Sequence, residues 1–361
     1  MENSLKLNAL RCANCHSTLA RVNNFEHQIR CPYCGTSNQV TGTMQQEVPA
    51  PERMIVFKAT KSDFGRAIGK FFVDQDYAVN DIFDRVQMDN VASIYLPMYL
   101  FEGKYEANYS CNIGYKEKEL GVGGYSGKVK ERTVTKWRPA NGTTKGNYAF
   151  LSLAFDGPEI TPELAEWTTT FPYDPESSKP FDIEHLKDFS ILPHNLDKKT
   201  TWHKWGTQLI EITAQDAAYD QLPAGNQIDA FKCTFSYEEK HDGRLFFVPF
   251  YFVYYNYNNE KFFVVSDGLG NNLHGNVPFD EDRWKQVKSM KRLAALGLWG
   301  GLALAILLAF IIGFGSGGII TGGILFLVSW LGTKFFSKSK IKGIIEGARK
   351  FRQDAFNRIM G

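Results

Sequence analysis

The chain has 361 residues, 43 % of them hydrophobic and 22 % charged, with a formal net charge of +2. This length allows two or three domains and a sizeable core. The charge is uneven, since residues 1–284 are acidic while Lys and Arg collect in 285–292 and 334–361. An acidic body argues against non-specific nucleic-acid binding by that part of the chain. Residues 1–10 lack the apolar core of a signal peptide, so we expect a cytoplasmic amino terminus.

The first motif consists of two Cys-x-x-Cys pairs near the amino terminus. Cys12 and Cys15 form the first pair, and after 15 intervening residues Cys31 and Cys34 form the second. Four thiolates at this spacing can close a tetrahedron around Zn²⁺, with a pair of disulfides as the alternative. Because a cytoplasmic location argues against disulfides, the sequence predicts a zinc ribbon over residues 1–40. Four ligands fill the coordination sphere, so the predicted role of Zn²⁺ is structural.

The basic residues of the ribbon raise a second function, nucleic-acid binding. Arg11, Arg21 and Arg30 are present, together with His16 and His27. No stripe of alternating aromatic and basic residues accompanies them, although such stripes are typical of single-strand binding surfaces. We therefore expect protein docking or a purely structural role for the ribbon, and we do not expect nucleic acid as a partner.

A polar segment with two prolines, residues 41–53, predicts a linker. It leads into an α+β body over residues 54–284. Ser62 can cap a first helix that runs to about Val73, and a second helical pattern covers residues 79–88. The body is therefore predicted to begin with a short strand over residues 54–57, followed by these two helices.

Aromatic, strand-like sequence dominates the rest of the body. Residues 94–101 resemble residues 246–253, since each run places a proline among aromatic and aliphatic residues. This similarity indicates either a duplicated β unit or a chance match between aromatic strands. The remaining predicted elements are strands at 91–113, 125–137 and 148–155, an amphipathic helix from 202 to about 222, and late strands ending near 277.

Residues 293–333 contain no charged side chain. A single helix of that length is about twice as long as the ~30 Å hydrocarbon core of a bilayer. We therefore predict a two-span transmembrane hairpin over 293–336, with its turn in the glycine-rich segment 313–318; the alternative is a buried hairpin in a soluble core. Small residues at helical spacing in both spans also suggest a homo-oligomer.

Positive charges flank the predicted hairpin on both sides. Because such residues stay on the cytoplasmic side, we expect a multi-pass inner-membrane protein with both termini in the cytoplasm and the lipid bilayer as a partner. The positions predicted to lie at the membrane surface are Lys285, Lys288, Lys291, Arg292, Lys334, Lys338, Lys340 and Lys342.

Residues 338–361 combine apolar residues at helical spacing with many cations. This pattern predicts a basic amphipathic helix. Such a helix can lie on a membrane surface, or it can dock against the protein's own body or a partner helix. The sequence favours the membrane surface and leaves docking as the rival.

No catalytic motif is present. The chain lacks a P-loop, and its one Gly-x-Gly-x-x-Gly run falls in the predicted hairpin turn. His194 and His203 are candidates for a second metal or acid–base site, although isolated histidines are more often solvated or structural. No hydrolase or metalloprotease motif appears either. We therefore predict that the protein is not an enzyme.

Taken with its cysteine knuckles, the LPMYLFEGKY strand and the late FFVPFYFVYYNYNNEKFFVVSDGLGNNLHGNVP hairpin, the chain resembles bacterial zinc-ribbon membrane proteins of the YdjG-like type. The resemblance implies a cytoplasm-facing membrane protein with SPFH-domain or phage-shock-protein-A-type partners. The expected fold class is multi-domain α+β: zinc ribbon, β-rich α+β body, C-terminal transmembrane hairpin and amphipathic helix. The expected function is a membrane-anchored adaptor in an envelope-stress response; the alternative is a membrane tether that binds nucleic acid through the ribbon.

Overall fold

A computed structural model describes residues 4–89, 91–123, 128–157, 160–169, 174–225, 227–238, 243–270, 272–312 and 316–360. The fold is α+β and rich in strands. The chain divides into two units. Unit 1 comprises Met1–Phe57 and Ser93–Phe250, and unit 2 comprises Lys58–Ala92 and Tyr251–Gly361.

Most elements of the chain are strands, and the two longest helices lie in its carboxyl-terminal part. The strands are β1 (Ser4–Arg11), β2 (Thr18–Arg21), β3 (Gln28–Arg30), β4 (Ser37–Gln39), β5 (Met44–Pro49), β6 (Arg53–Ile55), β7 (Gln87–Met88), β8 (Ala92–Gly123), β9 (Lys128–Leu153), β10 (Ser178–Pro180), β11 (Ser190–Ile191), β12 (Gln227–Tyr237), β13 (Arg244–Tyr257), β14 (Glu260–Asp267) and β15 (Leu273–Gly275). The helices are α1 (Lys61–Asp74), α2 (Ile82–Arg85), α3 (Pro162–Thr169), α4 (Lys198–Thr201), α5 (Thr207–Asp220), α6 (Glu281–Ile312) and α7 (Ser316–Met360). Short 3-10 turns lie at Pro175–Ser177 and Ile183–Leu186, and a π-helical turn at Trp202–Gly206 joins α4 to α5.

Strand β8 is the centre of unit 1. It pairs antiparallel with β9, β12 and the first part of β13, and parallel with β11. Its residues from 93 to 101 are all buried, which is the pattern of a strand covered on both faces. The two segments that resemble each other in sequence are direct neighbours here, because Tyr95 lies opposite Pro249 and Leu100 lies opposite Arg244.

Part of the segment predicted as a linker is sheet. Strand β5 pairs antiparallel with β1 from Ser4↔Pro49 to Ala9↔Met44. The prediction relied on polar residues and prolines. A short edge strand can carry both, because only one of its sides must hydrogen-bond and only one face must be apolar.

A buried tryptophan anchors the helices of unit 1. Trp202, fully buried in the π-helical turn, packs edge-on against Phe101 with ring centroids 5.1 Å apart. It also lies against Tyr148 and Phe150 of β9. Helix α5 adds Ile210 and Ala214 to the same cluster. The amphipathic pattern of this segment thus reflects a helix that covers one face of the sheet.

Helix α1 organises unit 2. Its N-cap is Thr60 rather than the predicted Ser62, and Thr60 forms a reciprocal capping box with Asp63. The buried face of the helix carries Phe64, whose ring stacks on Tyr251 at 5.3 Å, and Phe72, which packs against Tyr255 at 5.2 Å. These contacts join α1 to the last part of β13.

The predicted transmembrane hairpin over 293–336 is wrong. Within the described ranges, none of the helices has the length and apolar character needed to cross a bilayer. The uncharged stretch of sequence is divided between α6 and α7. Helix α6 begins earlier, at Glu281, and α7 ends later, at Met360, so both helices also contain charged sequence. The predicted division into two helices is present, since α6 ends at Ile312 and α7 begins at Ser316, but neither described helix is apolar over a sufficient length to cross a bilayer. Residues 313–315 of the predicted turn lie outside the described residues, and the expected multi-pass inner-membrane location is overturned with the hairpin.

The last turns of α7 dock on the protein's own helices. Ala348, Arg352 and Ala355 are buried. The Phe356 ring lies 5.7 Å from that of Phe83, and it occupies the space where a side chain at Gly69 of α1 would lie. The apolar face of this basic helix therefore packs against α1 and α2. This is the docking alternative of the sequence analysis, in place of a helix that lies on a membrane surface.

Two buried arginines fix this docking. Arg352 is fully buried and donates hydrogen bonds to the carbonyl oxygens of Val73 (3.1 Å) and Ala78 (2.8 Å). Arg283 of α6 donates to the same Ala78 oxygen at 2.7 Å and to the Asn80 side chain at 2.6 Å. Burial, aided by Arg283 and Arg349, lowers the pKa of Arg352 to about 10, so its guanidinium stays charged at neutral pH.

We expect Arg352→Ala to lower the free energy of unfolding by about 3 kcal/mol, because several buried carbonyls lose a charged donor. Chemical denaturation of the full chain measures this loss. Arg358→Ala, on the exposed face of the same helix, is the control and should change stability by about 0.5 kcal/mol or less. Equal effects of the two substitutions would contradict the buried role of Arg352.

Candidate metal centre

The two cysteine pairs lie in turns with the same backbone geometry. In the first turn the Cys12 amide donates to the Ser17 carbonyl at 2.9 Å, and the His16 amide donates to the Cys12 carbonyl at 3.0 Å. In the second turn Cys31 and Gly35 repeat both bonds, at 2.8 and 3.0 Å. His16 and Gly35 occupy equivalent positions, and both have left-handed backbones with φ of 60° and 76°. Each turn directs its two thiols towards the other turn.

The four sulfur atoms form one compact group. Cys12 Sγ lies 3.6 Å from Cys34 Sγ, Cys15 Sγ lies 3.7 Å from Cys31 Sγ, and all four are within 4.8 Å of one another. A Zn–S bond of about 2.3 Å places the sulfurs of a tetrahedral site roughly 3.8 Å apart. A disulfide would need a separation of about 2 Å, and all four cysteines are free thiols. The spacing therefore fits a ZnS₄ site and excludes the disulfide alternative.

In the absence of a cation, the pKa values of the thiols shift in different directions. Burial raises the pKa of Cys15 and of Cys31. Burial also opposes ionisation of Cys34, but hydrogen bonds from Thr36, Cys15 and Cys12 outweigh it and lower the pKa of Cys34 to about 6. Four neighbouring thiolates repel one another, and a divalent cation removes this repulsion. The donor set thus fits Zn²⁺, which prefers tetrahedral thiolate ligands.

A small apolar cluster surrounds the sulfurs. Leu10, Leu19 and Ile29 are buried beside Cys12 and Cys31. Such a shell keeps water away from a metal site and fixes its geometry.

One buried side chain links the two cysteine turns. Asn38, only 4 % exposed, accepts a hydrogen bond from the Ala13 amide at 2.8 Å and donates to the Thr36 carbonyl at 2.9 Å. It therefore holds the first turn to the second independently of the metal. The sequence analysis missed Asn38, because a single polar residue after a cysteine pair carries no distinguishing pattern.

The ribbon is part of the core of unit 1. Strand β1 alternates buried and exposed residues, and its Leu5 and Leu7 pack in one cluster with Tyr95 and Phe247. Strand β2 pairs with β11 through Ala20↔Ile191. Since β1 ends at the first cysteine turn, the metal site closes directly onto the main sheet.

The cations predicted at a membrane surface lie on α6 and α7 in unit 2. Lys285 pairs with Glu281 at 2.7 Å, Lys342 pairs with Glu346 at 3.5 Å, and Lys288 lies 4.1 Å from the centre of the Trp284 ring. The side chain of Lys334 is not described, and the remaining positions, Lys291, Arg292, Lys338 and Lys340, are exposed. The structure does not test their predicted role at a membrane surface, which stays a prediction.

We expect one zinc ion per chain, bound by the four thiolates. Cys15→Ser should lower the zinc content and destabilise unit 1, because it removes one ligand from a closed site. Metal analysis by mass spectrometry and thermal unfolding of the purified chain measure both effects. Cys233→Ser is the matched control, since Cys233 lies in β12, outside the cluster. Full zinc occupancy in the Cys15 variant would contradict the four-ligand site.

We expect Gly35→Ala to destabilise the ribbon by about 1 kcal/mol, because a residue with a Cβ is strained at φ 76°. Thermal unfolding of the zinc-loaded protein measures the shift. Gly42→Ala is the control, since a Cβ there meets no atom within 4 Å. A loss at Gly42 as large as that at Gly35 would argue against the left-handed turn.

The comparisons with known proteins agree with this site. Residues 6–49 match the zinc-ribbon family described as Mu-like prophage protein Com. The match starts in β1 and ends in β5, so it includes both cysteine turns and the strand beyond residue 40. No curated protein and no solved structure matches the chain, and the resemblance to YdjG-like proteins gains no support. The amino-terminal part of the chain is a zinc ribbon similar to that of the Com family, and it binds structural Zn²⁺ through its four cysteines.

Proposed function

We propose that this protein is a non-enzymatic adaptor that binds other proteins and uses its zinc ribbon as a structural part. The observation behind this proposal is that the metal site of the ribbon is closed and that the ribbon strands pack in unit 1. Its four sulfurs leave no open coordination position for a substrate, and its strands belong to the core of unit 1. A metal site of this kind stabilises a surface rather than performing a reaction.

Electrostatics favour a protein partner over nucleic acid for the ribbon. The described ribbon has four cations, Lys6, Arg11, Arg21 and Arg30, against Glu26 and Glu47. A zinc ion with four thiolates carries a charge of about −2, so the loaded ribbon is close to neutral. Arg30 donates to the Gly35 carbonyl at 2.9 Å, and Arg21 lies over the Phe25 ring. Little positive charge is left to attract phosphates.

The part of unit 1 best suited to a partner is a long β-hairpin, which we call the arm. It consists of the described residues from 115 to 138 in β8 and β9. Strand β12 accompanies β8 only as far as Gly114, so the arm continues as two strands for roughly 30 Å. Two-stranded ribbons are marginally stable in water unless something covers a face. The arm is therefore a candidate surface for a partner.

One face of the arm is held by ion pairs. Lys136 lies 3.2 Å from Glu117 and 3.0 Å from Glu119, and Arg132 lies 3.6 Å from Glu119. Hydrogen bonding to Lys136 lowers the pKa of Glu117. Exposed pairs of this kind contribute little stability, but they fix the register and discourage non-specific strand pairing.

The opposite face of the arm carries one ion pair, between Lys118 and Glu131 at 3.1 Å, and exposes two large apolar side chains. Trp137, which is 47 % exposed, packs across Gly114, and Leu120 is 74 % exposed. Both lie on this face because Trp137 is opposite Gly114, six residues before Leu120 in β8. Tryptophan is enriched among the residues that contribute most to protein-binding energy. We propose this face as the partner-binding surface. SPFH-domain and phage-shock-protein-A-type proteins are the first partners to test, and a second copy of the chain is another outcome.

The experiment compares the intact chain with a variant in which residues 116–135 are replaced by an Asn-Gly turn. Both are cross-linked in cells, purified and analysed by mass spectrometry. We expect a defined partner to be lost from the shortened variant and from Trp137→Ala, but retained by Arg132→Ala on the ion-paired face. Thermal unfolding should stay unchanged, because the described contacts of the removed segment are within the arm.

Two results would overturn the proposal. One is a set of partners that does not depend on the arm or on Trp137. The other is tight binding of duplex DNA or RNA by the zinc-loaded chain, lost at high salt, which would support the nucleic-acid alternative.

A further inference from the structure

Unit 1 contains a half-open cavity of about 870 Å³. It is lined by the segment between β5 and β6, by the residues that precede α4, and by Tyr99, Phe181 and Leu245. A volume of this size is within the range of small-molecule binding sites, roughly 300–1,000 Å³. The cavity does not involve the zinc ribbon turns or the arm, so its function is separate from both.

The side chain of Tyr99 lines this cavity. The Tyr99 side chain is only 5 % exposed, and among the described residues no hydrogen bond to its hydroxyl is found. Burial raises the pKa of Tyr99, and the nearby Asp197 carboxylate raises it further, so the hydroxyl keeps its proton. Because it lines the cavity and has no partner among the described side chains, this hydroxyl can hydrogen-bond to water or to a ligand.

His194 adds a second available polar group. Its ring is partly buried in the cavity wall, and within the described ranges it makes no hydrogen bond to another side chain. Burial lowers the pKa of His194, so the imidazole is neutral at pH 7. A neutral ring offers one N–H donor and one acceptor nitrogen. The cavity gains hydrogen-bonding capacity here without gaining positive charge.

The ionised groups make the cavity acidic. Asp197 and Glu52 contribute two carboxylates, and Lys198 contributes one ammonium group. The Asp197 carboxylate caps α4, since one of its oxygens accepts from the Thr200 amide at 2.7 Å. Hydrogen bonds from the amide and the side chain of Thr200 and from the Lys199 amide lower the pKa of Asp197, so the carboxylate is ionised at neutral pH. The cavity wall therefore contains two carboxylates and one ammonium group beside the Tyr99 hydroxyl and the His194 ring. Their net charge at pH 7 is negative, which favours a cationic ligand.

The remaining walls are apolar. Pro49, Pro51 and Pro180 line the cavity together with Phe181 and Leu245. Aromatic rings such as Phe181 and Tyr99 attract cations at their faces, and prolines present rigid surfaces to an aliphatic chain. The cavity thus combines acceptors with walls suited to a short hydrocarbon stem.

We propose that this cavity binds a guanidinium or primary ammonium group carried on a short aliphatic stem. The carboxylates of Asp197 and Glu52 receive the cationic group, the Tyr99 hydroxyl and His194 hydrogen-bond to it or to its neighbouring polar atoms, and the apolar wall covers the stem. Such a group occurs in the side chains of arginine and lysine within a peptide and in free alkylamines. The two sources share this chemistry.

The test uses the full, zinc-loaded chain and isothermal titration calorimetry. Nα-acetyl-arginine amide represents a peptide side chain, and agmatine represents a free amine with a guanidinium group. Nα-acetyl-norleucine amide has a similar stem without charge, and butyrate reverses the charge. We expect saturable binding of at least one cationic probe and binding weaker by about tenfold or more for the neutral and anionic probes. Tighter binding of the amide than of agmatine would identify a peptide as the source, and the reverse would identify a free amine.

Three variants locate the binding site. Asp197→Asn keeps the helix cap, because asparagine caps as well as aspartate, but removes the charge. Tyr99→Phe keeps the packing and removes the hydroxyl. We expect each to weaken the cationic probe by about tenfold at unchanged melting temperature. Asp216→Asn, at an exposed position of α5, is the control and should leave binding unchanged.

Several outcomes would overturn the proposal. These are no saturable binding of either cationic probe at millimolar concentration, stronger binding of butyrate, or equal affinities in the Asp197, Tyr99 and Asp216 variants.

Discussion

Four cysteine sulfurs that lie within 4.8 Å of one another are the constraint on which the ribbon depends. They come from two turns that are otherwise joined by little more than the Asn38 amide and a few apolar residues. Burial raises the pKa of Cys15 and of Cys31, and four neighbouring thiolates repel one another without a cation, so the metal and the turn geometry require each other. Because β1 enters the first of these turns directly from the main sheet, the zinc ion also fixes the edge of unit 1, beyond the ribbon itself.

The other features of unit 1 follow from its central strands. Strand β8 is long enough to serve as the middle of a covered sheet at one end and as a free hairpin at the other. At the covered end its side chains meet β13 and the ring of Trp202. At the free end they form the arm, with ion pairs on one face and Trp137 on the other. Tyr99 lies at the covered end and lines the cavity near α4. One strand therefore contributes to the core, to a proposed partner surface and to a proposed ligand site.

The sequence was sufficient to predict the zinc ligands, but it did not predict the contacts between residues that are distant in the chain. The cysteine spacing was sufficient for the zinc site, because a metal tetrahedron depends on a few residues close in sequence. The pairing of β5 with β1 and the link made by Asn38 depend on contacts between distant residues, which polar composition does not reveal. The transmembrane prediction was wrong although its two helices are present, because an uncharged run in the sequence does not by itself establish that a helix crosses a bilayer. Arg352 gave no signal either, since one cation in a basic helix looks the same whether it is exposed or fully buried.

The buried guanidinium of Arg352 has a consequence for how the chain matures. Its hydrogen-bond partner in Val73 lies 279 residues earlier, so helix α1 meets its packing surface only after most of the polypeptide has left the ribosome. The ribbon, by contrast, brings its ligands together within 23 residues. During synthesis the amino-terminal metal site can form early, whereas unit 2 must wait, and contacts of such high sequence separation are slow to form. The part of α1 that Phe356 and Arg352 contact therefore stays uncovered until the last residues of the chain are made, and during translation it is open to chaperones and proteases.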